Sequence, residues 1–206
     1  MKVHPAQQNS AGWELAKAGV PSASNFKKII KLKSGLYVRS DQWRGYLNQL
    51  AGERAFKIFG ETFQSEEMAR GLELEEEARA DFSFINAVEM KEVGFCTSDD
   101  GSYGCSPDSL IGDDSGYEGK APKFHNHVKI LLAQKIPAEY IGQVQGCLYV
   151  TQREHWWFHS FYNDPKVPSF QTKIEPDTKY QAALEKFLPE FIGELEETTK
   201  KLLELA

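Results

Sequence analysis

The chain has 206 residues, 41% hydrophobic and 12% aromatic, and a formal net charge of −6. That apolar content supports one sizeable core and excludes a disordered chain, while no apolar run approaches the roughly 20 residues a bilayer-spanning helix needs. The amino-terminal stretch MKVHPAQQNSAGWELAKAG has no continuous apolar segment behind its lysine, so the expectation is a cytoplasmic location without a secretory leader.

Cys96, Cys105 and Cys147 lack a CxxC spacing and read as reduced packing residues. Charge is unevenly spread: residues 1–60 carry ten basic side chains, Lys17 and Lys33 among them, against three acidic ones, a charge of +7 that leaves −13 for the remainder. The split suggests a localised anion-binding surface on an otherwise repulsive body; a solvated basic helix is the plainer alternative.

In chain order, Ser24 is expected to cap a short basic helix over NFKKIIKL, and Ser40 or Asp41 to open a second helix running to about Phe59. A linker at 60–64 precedes a third helix from about 65 to 84. From there to Pro122 the pattern predicts short strands parted by turns, an antiparallel meander. Residues 123–134 and 138–149 read as helices separated by Pro137, and HWWFHSFY at 155–162 reads as a strand. A last helix begins near Pro176 and kinks at Pro189. Helices flanking a central mixed sheet give an α/β or α+β fold in a single domain.

The stretch SPDSLIGDDSGYEGKAP, residues 106–122, carries the chemistry. Asp113 and Asp114 belong to a turn, so residues 110–112 and 117–121 form the arms of a hairpin. On a strand Glu118 and Lys120 share a face about 6.6 Å apart, and the hairpin can bring Asp108 across to Glu118. Two carboxylates with room for water suit Mg²⁺, and a neighbouring lysine can orient or deprotonate a water or offset charge on a phosphate. A surface salt bridge is the alternative.

On the third helix, Met68, Leu72, Glu75, Arg79 and Phe82 fall on one stripe, with Glu73 and Glu77 turned away and Glu76 at its margin. Glu75 on that face needs a cation, either a metal or Arg79 one turn on. Tyr140, Val144, Cys147 and Val150 form a second stripe that includes Gln143 but not Gln145. Gln143 there needs a polar partner, either at a metal–phosphate site or in the core.

The ordered set Gly71 to Arg79, Ser106-Pro-Asp108, Glu118-Gly-Lys120 and Gln143-Val-Gln145 closely resembles the bacteriophage lambda-type alkaline exonuclease family of the PD-(D/E)XK nuclease superfamily. The likeness extends to Trp13–Val20 with Ser22-Ala-Ser24, and to Asp177–Tyr180 and Pro189–Phe191, so it covers essentially the whole chain. It implies a restriction-endonuclease-like core and a processive 5′-to-3′ exonuclease that degrades one strand of linear double-stranded DNA. The product would be a 3′ single strand for recombination by annealing.

By matching positions, Asp108, Glu118, the Gly119 carbonyl and Glu75 would hold two Mg²⁺ ions, with Mn²⁺ as a substitute. Lys120 would serve the attacking water and Gln143 would steady the site. Lys17 and Ser24 would take the 5′ phosphate, with Lys33 among the DNA-binding residues.

The resemblance also implies a homotrimeric ring, a single-strand annealing protein as partner, no membrane association, and a phage or prophage origin in a bacterial cytoplasm. Residues 1–60 would form the basic DNA-binding part, 65–163 the catalytic core and 176–206 the terminal helix of one nuclease domain spanning 1–206. The family usually has arginine at the place of Lys17, which lacks the bidentate fork, and an apolar residue at the place of Gly119. A structure- or sequence-specific endonuclease and a catalytically silent DNA-binding subunit are the competing readings. His125 and His127 diverge on a helix and are not expected to share a metal.

Overall fold

Residues 1–58 and 73–206 are described in the structure, a computed structural model. Its centre is the hairpin of β7 (Ser109–Ile111) and β8 (Ser115–Lys120), antiparallel and in register as Ser109 opposite Tyr117 and Leu110 opposite Gly116. The turn is Gly112-Asp113-Asp114, and Gly112 adopts a φ of +52°, the left-handed region that glycine enters at no steric cost. The expected hairpin is present, with its turn one residue earlier than DDSG.

On its other side β8 pairs in parallel with β9 (His155–Ser160), from Ser115 beside His155 to Lys120 beside Ser160. A parallel neighbour requires a crossover, supplied here by α4 (Phe124–Ala133) and α5 (Ala138–Thr151). With β10 (Phe170–Ile174) and β4 (Met90–Lys91) the sheet runs β10-β9-β8-β7-β4, antiparallel except at β8–β9. The mixed sheet flanked by helices is therefore as expected.

Strand alternation sorts the two faces. Tyr117, Trp157 and His159 lie on one face beneath Phe82 of α3 (Glu75–Asn86), with ring centroids 4.9, 5.6 and 5.5 Å from Phe82. Glu118 lies on the other face, toward α5 and its Gln143. The largest core cluster, on that side, joins Trp156 to α2 (Trp43–Phe56) and α6 (Thr178–Glu204). In α6, Tyr180, Leu184, Leu188, Phe191 and Leu195 recur at helical spacing and are buried. Asp177 caps this helix by accepting from the Lys179 and Tyr180 N–H groups. The helix continues through Pro189.

Several expectations are corrected. Ser24 caps no helix: it lies inside a 3-10 helix, Ala23–Lys28, whose N-cap position is Ser22. The following IIKL is not helical but forms β2 (Ile30–Lys33), paired with β3 (Leu36–Arg39). β-branched Ile29 and Ile30 favour extended chain, and Ser34-Gly35, both at positive φ (52° and 80°), makes the two-residue hairpin turn. The meander splits into two sheets, because β5 (Cys96–Thr97) and β6 (Gly104–Cys105) join amino-terminal β1 (Lys2–Val3) instead of β7. The expected Phe59 end of α2, the linker at 60–64 and the first turns of the third helix, with Met68, Gly71 and Leu72, lie outside the described residues.

The 3-10 helix is drawn against α5 at Gly146, where an added Cβ would sit 2.8 Å from both Ala23 Cβ and the Phe26 ring. That approach sets Ser22 and Ser24 beside Cys147 and Gln143. Gly146→Val is expected to cost about 1–3 kcal/mol through overpacking, read as a lowered urea midpoint at unchanged slope.

Candidate active site

Extending the β7–β8 register by one residue puts Asp108 opposite Glu118. The Gly119 N–H donates to Asp108 Oδ2 at 2.8 Å, fixing one carboxylate at the edge of β8. Glu118 is fully buried; its Oε1 receives both the Lys120 ammonium and the Gln143 amide, the latter at 2.6 Å. Glu118 Oε2 is also buried and has no hydrogen-bond partner among the described residues. Lys120 Nζ lies 5.6 Å from the centre of the Tyr140 ring.

Glu75 opens α3 and makes the i,i+4 ion pair with Arg79 at 2.6 Å. It also lines, with Asp108, a cavity of about 540 Å³ whose walls include Gln8, Arg79 and Glu92. The expected ion pair with Arg79 is therefore present, and Glu75 also faces the cavity that Asp108 lines. Glu73 and Glu76 line the same cavity, so Glu73 is not turned away from Glu75 as the expected helical spacing implied.

A second cavity of about 170 Å³ is lined by Lys17, Ser22, Ser24, Ser106 and Gln143, and it shares Gln8 and Asp108 with the first. Lys17 closes α1 (Ala11–Lys17), its ammonium 4.3 Å from the centre of the Trp13 ring. Trp13 in turn donates its indole N–H to Ser106 Oγ at 3.2 Å, which joins α1 to the Ser-Pro-Asp stretch. Gln8 donates to the Pro107 carbonyl at 2.6 Å and so sits at the junction of the two cavities.

The electrostatics follow from crowding. Burial raises the pKa of Glu118 to about 8, with Asp108 adding to it and Lys120 opposing it. Burial likewise raises Asp108 and Glu75, the latter also pushed up by Asp108. Burial works against the Lys120 ammonium, but Glu118 and Asp108 outweigh it, and its pKa stands above the ordinary lysine value. The ion pair with Glu118 thus favours the ammonium form of Lys120. Burial lowers Lys17 against the pull of Glu14 and Glu53.

Beneath the site, Gly119 is explained by space and not by φ. A Cβ there would lie 2.7 Å from Tyr117 Oη and 3.0 Å from its ring. The Tyr117 hydroxyl meets His159 Nδ1 at 2.9 Å.

Other sequence expectations fall elsewhere. Lys33 is exposed at the end of β2 and lines neither cavity. Gln145, placed off the apolar stripe, is in fact 2% exposed; its amide bonds Glu175 O, the Asp177 N–H and Gln181, bracing the start of α6. Buried His127 meets Ser160 Oγ at 2.8 Å and the Pro168 carbonyl at 3.0 Å, whereas His125 is exposed. Cys96, Cys105 and Cys147 are free and buried.

Among the described residues, the trio of metal-binding types whose ligand atoms all lie within 4.8 Å of one another is Asp114, Glu154 and His155, at the opposite end of β8 from Lys120. Ser22 and Ser106 stood within quoted motifs without an assigned role. Gln8, Tyr117 and His159 carried no periodic signal that would have singled them out.

Glu118 takes up a proton on folding, because its folded pKa lies above the ordinary 4.5. Between those values the native state binds more protons than the unfolded chain, so stability in EDTA is expected to fall as pH rises from about 5 to about 8. Urea unfolding at stepped pH checks this, and Glu118→Gln should flatten the slope.

Residues 12–154 match the YqaJ-like viral recombinase domain. The fold is similar to that of an alkaline exonuclease, LHK-Exo from Laribacter hongkongensis, with a TM-score of 0.77 and 27% identity over 96% of this chain and 100% of that one. The same enzyme in complex with dAMP gives a TM-score of 0.75 at 28% identity and the same coverage. A curated relative, the putative uncharacterized protein ExoD of Escherichia coli (strain K12), is 29% identical over 72 residues, 34% of this chain and 80% of ExoD. With more than half its length matched, the chain belongs to the YqaJ-like viral recombinase family, and its fold is that of the PD-(D/E)XK-type exonucleases.

Proposed function

We propose that the protein is a metal-dependent 5′-to-3′ exonuclease acting on the ends of double-stranded DNA. The observation that carries this reading is the buried, partnerless Glu118 Oε2, set among Asp108, Gln143 and Lys120 and one shared wall from a lysine–serine cavity. A second carboxylate in a buried cluster raises the cost of every charge there, and a cation removes it. The residues thus fit divalent ions, Mg²⁺ above all, which takes one or two carboxylates and keeps its waters. Asp108, Glu118 and the Gly119 carbonyl would hold one ion and Glu75 would serve a second, with Mn²⁺ able to replace Mg²⁺. When bound, the ions supply the positive charge that favours water attack on a phosphodiester.

The chain's own groups do the rest. Gln143 holds Glu118 Oε1, which leaves the partnerless Oε2 for a cation. Lys120, kept as an ammonium, orients the attacking water and offsets charge on the phosphate. In the adjoining cavity Lys17 and the hydroxyls of Ser22 and Ser24 offer one cation and several donors to a terminal 5′ phosphate. Because Asp108 is common to both cavities, a strand anchored by its 5′ phosphate presents its next phosphodiester to the carboxylates.

Residues 1–206 act as one nuclease domain, and Lys33 on the β2–β3 ribbon contacts the duplex beyond the site. The functional assembly is a homotrimeric ring around DNA whose 3′ strand passes to an annealing protein in the bacterial cytoplasm. Among the described residues no helix is long and apolar enough to cross a membrane.

Lys120→Ala should lower hydrolysis by about 10²–10³-fold while leaving duplex binding intact. With Mg²⁺ and wild-type protein, 5′-phosphorylated linear duplex should be degraded faster than its 5′-hydroxyl counterpart, and Lys17→Ala should narrow that gap. Closed circles cut as readily as linear ends would refute the exonuclease reading.

A further inference from the structure

The carboxylates of the site come from opposite sides of the sheet. Glu118 projects toward α5, while Glu75 belongs to α3, which packs on the other face through Phe82. Apolar contact alone leaves a helix free to slide or rotate by fractions of an ångström, and ions shared between Glu75 and Asp108 would feel that slack. A polar connection crosses the same contact. Tyr117 on β8 meets His159 Nδ1 on β9 at 2.9 Å, and His159 Nε2 lies 3.2 Å from Asp81 Oδ2 on α3.

His159 and Tyr117 are fully buried, and the Asp81 oxygen is buried as well. The Asp81–His159 contact is close but not aligned as a hydrogen bond, so it holds by charge and polarity. Desolvation pulls the His159 pKa down to about 4 against the opposing pull of Asp81, which leaves a neutral ring. With the ring proton on Nε2, the nitrogen nearer the carboxylate, Nδ1 accepts from the Tyr117 hydroxyl. That hydroxyl is the atom that would meet a side chain at Gly119, so the connection ends directly under the strand position whose carbonyl is assigned to the ion.

We propose that Asp81, His159 and Tyr117 are positioning residues, a buried polar clamp that sets α3, and with it Glu75, relative to Gly119 and Glu118, and so tunes divalent-ion affinity without touching DNA. This rests on the function proposed above. Desolvated polar groups that reach a partner only in one arrangement penalise every other arrangement, which apolar packing does not.

The test uses the full chain without DNA, titrated with Mn²⁺ and followed by electron paramagnetic resonance of the free ion. Thermal unfolding and the Mg²⁺ dependence of hydrolysis run alongside. Tyr117→Phe deletes only the hydroxyl, and Asp81→Asn removes the charge at nearly constant shape. Both should weaken Mn²⁺ binding by about 10-fold and raise the Mg²⁺ needed for half-maximal rate in proportion, as loss of an outer partner of a metal ligand does. The rate at saturating Mg²⁺ should stay within about twofold of wild type, because no group that touches the substrate has changed.

Thr151→Val is the control. It deletes another buried hydroxyl, one that donates to the Cys147 carbonyl at 2.8 Å far along α5, and should lower thermal stability while leaving Mn²⁺ affinity unchanged. Wild-type Mn²⁺ binding with unaltered affinity in Tyr117→Phe and Asp81→Asn overturns the clamp alone. A wild-type chain that binds no Mn²⁺ overturns both the clamp and the proposed function.

Discussion

Three carboxylates share one small region with two basic side chains, and each of those is already engaged: Lys120 with Glu118, and Arg79 with Glu75. Burial raises the pKa of all three acids. Such an arrangement is costly unless the carboxylates take up protons or a cation enters, which is a demand for positive charge at one place. The β7–β8 hairpin creates that demand, because its register leaves Asp108 and Glu118 no choice but to face one another. The rest of the structure can be understood as support for this hairpin: β9 and α5 close one side and α3 the other.

Much of this was legible in the sequence where chemistry is local. GDDSG announces a turn whatever surrounds it, and the alternation of Glu118 and Lys120 about Gly119 fixes which side chains share a face. Gln143 was legible because a polar residue on an apolar helical stripe must find a partner, and it finds Glu118. The failures share a different cause. NFKKIIKL has helical spacing over its first half, and only the Ser34-Gly35 turn beyond it reveals that the second half belongs to a ribbon. Gln145 lay off the stripe defined by its own helix, yet α6 arrives from over 30 residues downstream to bury it. The pairing of β1 with β5 depends on distant chain with no mark in either segment.

Gly119 shows how a departure from a family pattern acquires a local reason. The usual apolar side chain at that position is replaced here by the ring of Tyr117, which reaches forward two residues along its own strand to fill the space. Residue identity at the two positions is therefore linked: tyrosine at one excludes a side chain at the other. The hydroxyl that comes with the ring needs a partner in a dry interior, and His159 supplies it.

The parallel pairing of β8 with β9 carries a consequence for the chain as it emerges from a ribosome. Lys120 finds its neighbour Ser160 only after two helices and a further strand have been made. Gln143, which holds Glu118, lies within that same crossover. Non-local pairings of this sort form late, once the entropy of closing the loop has been met. A nascent chain ending before about residue 160 thus carries every acidic residue of the site without its geometry. Whatever hydrolytic capacity the site has is therefore withheld until most of the protein exists.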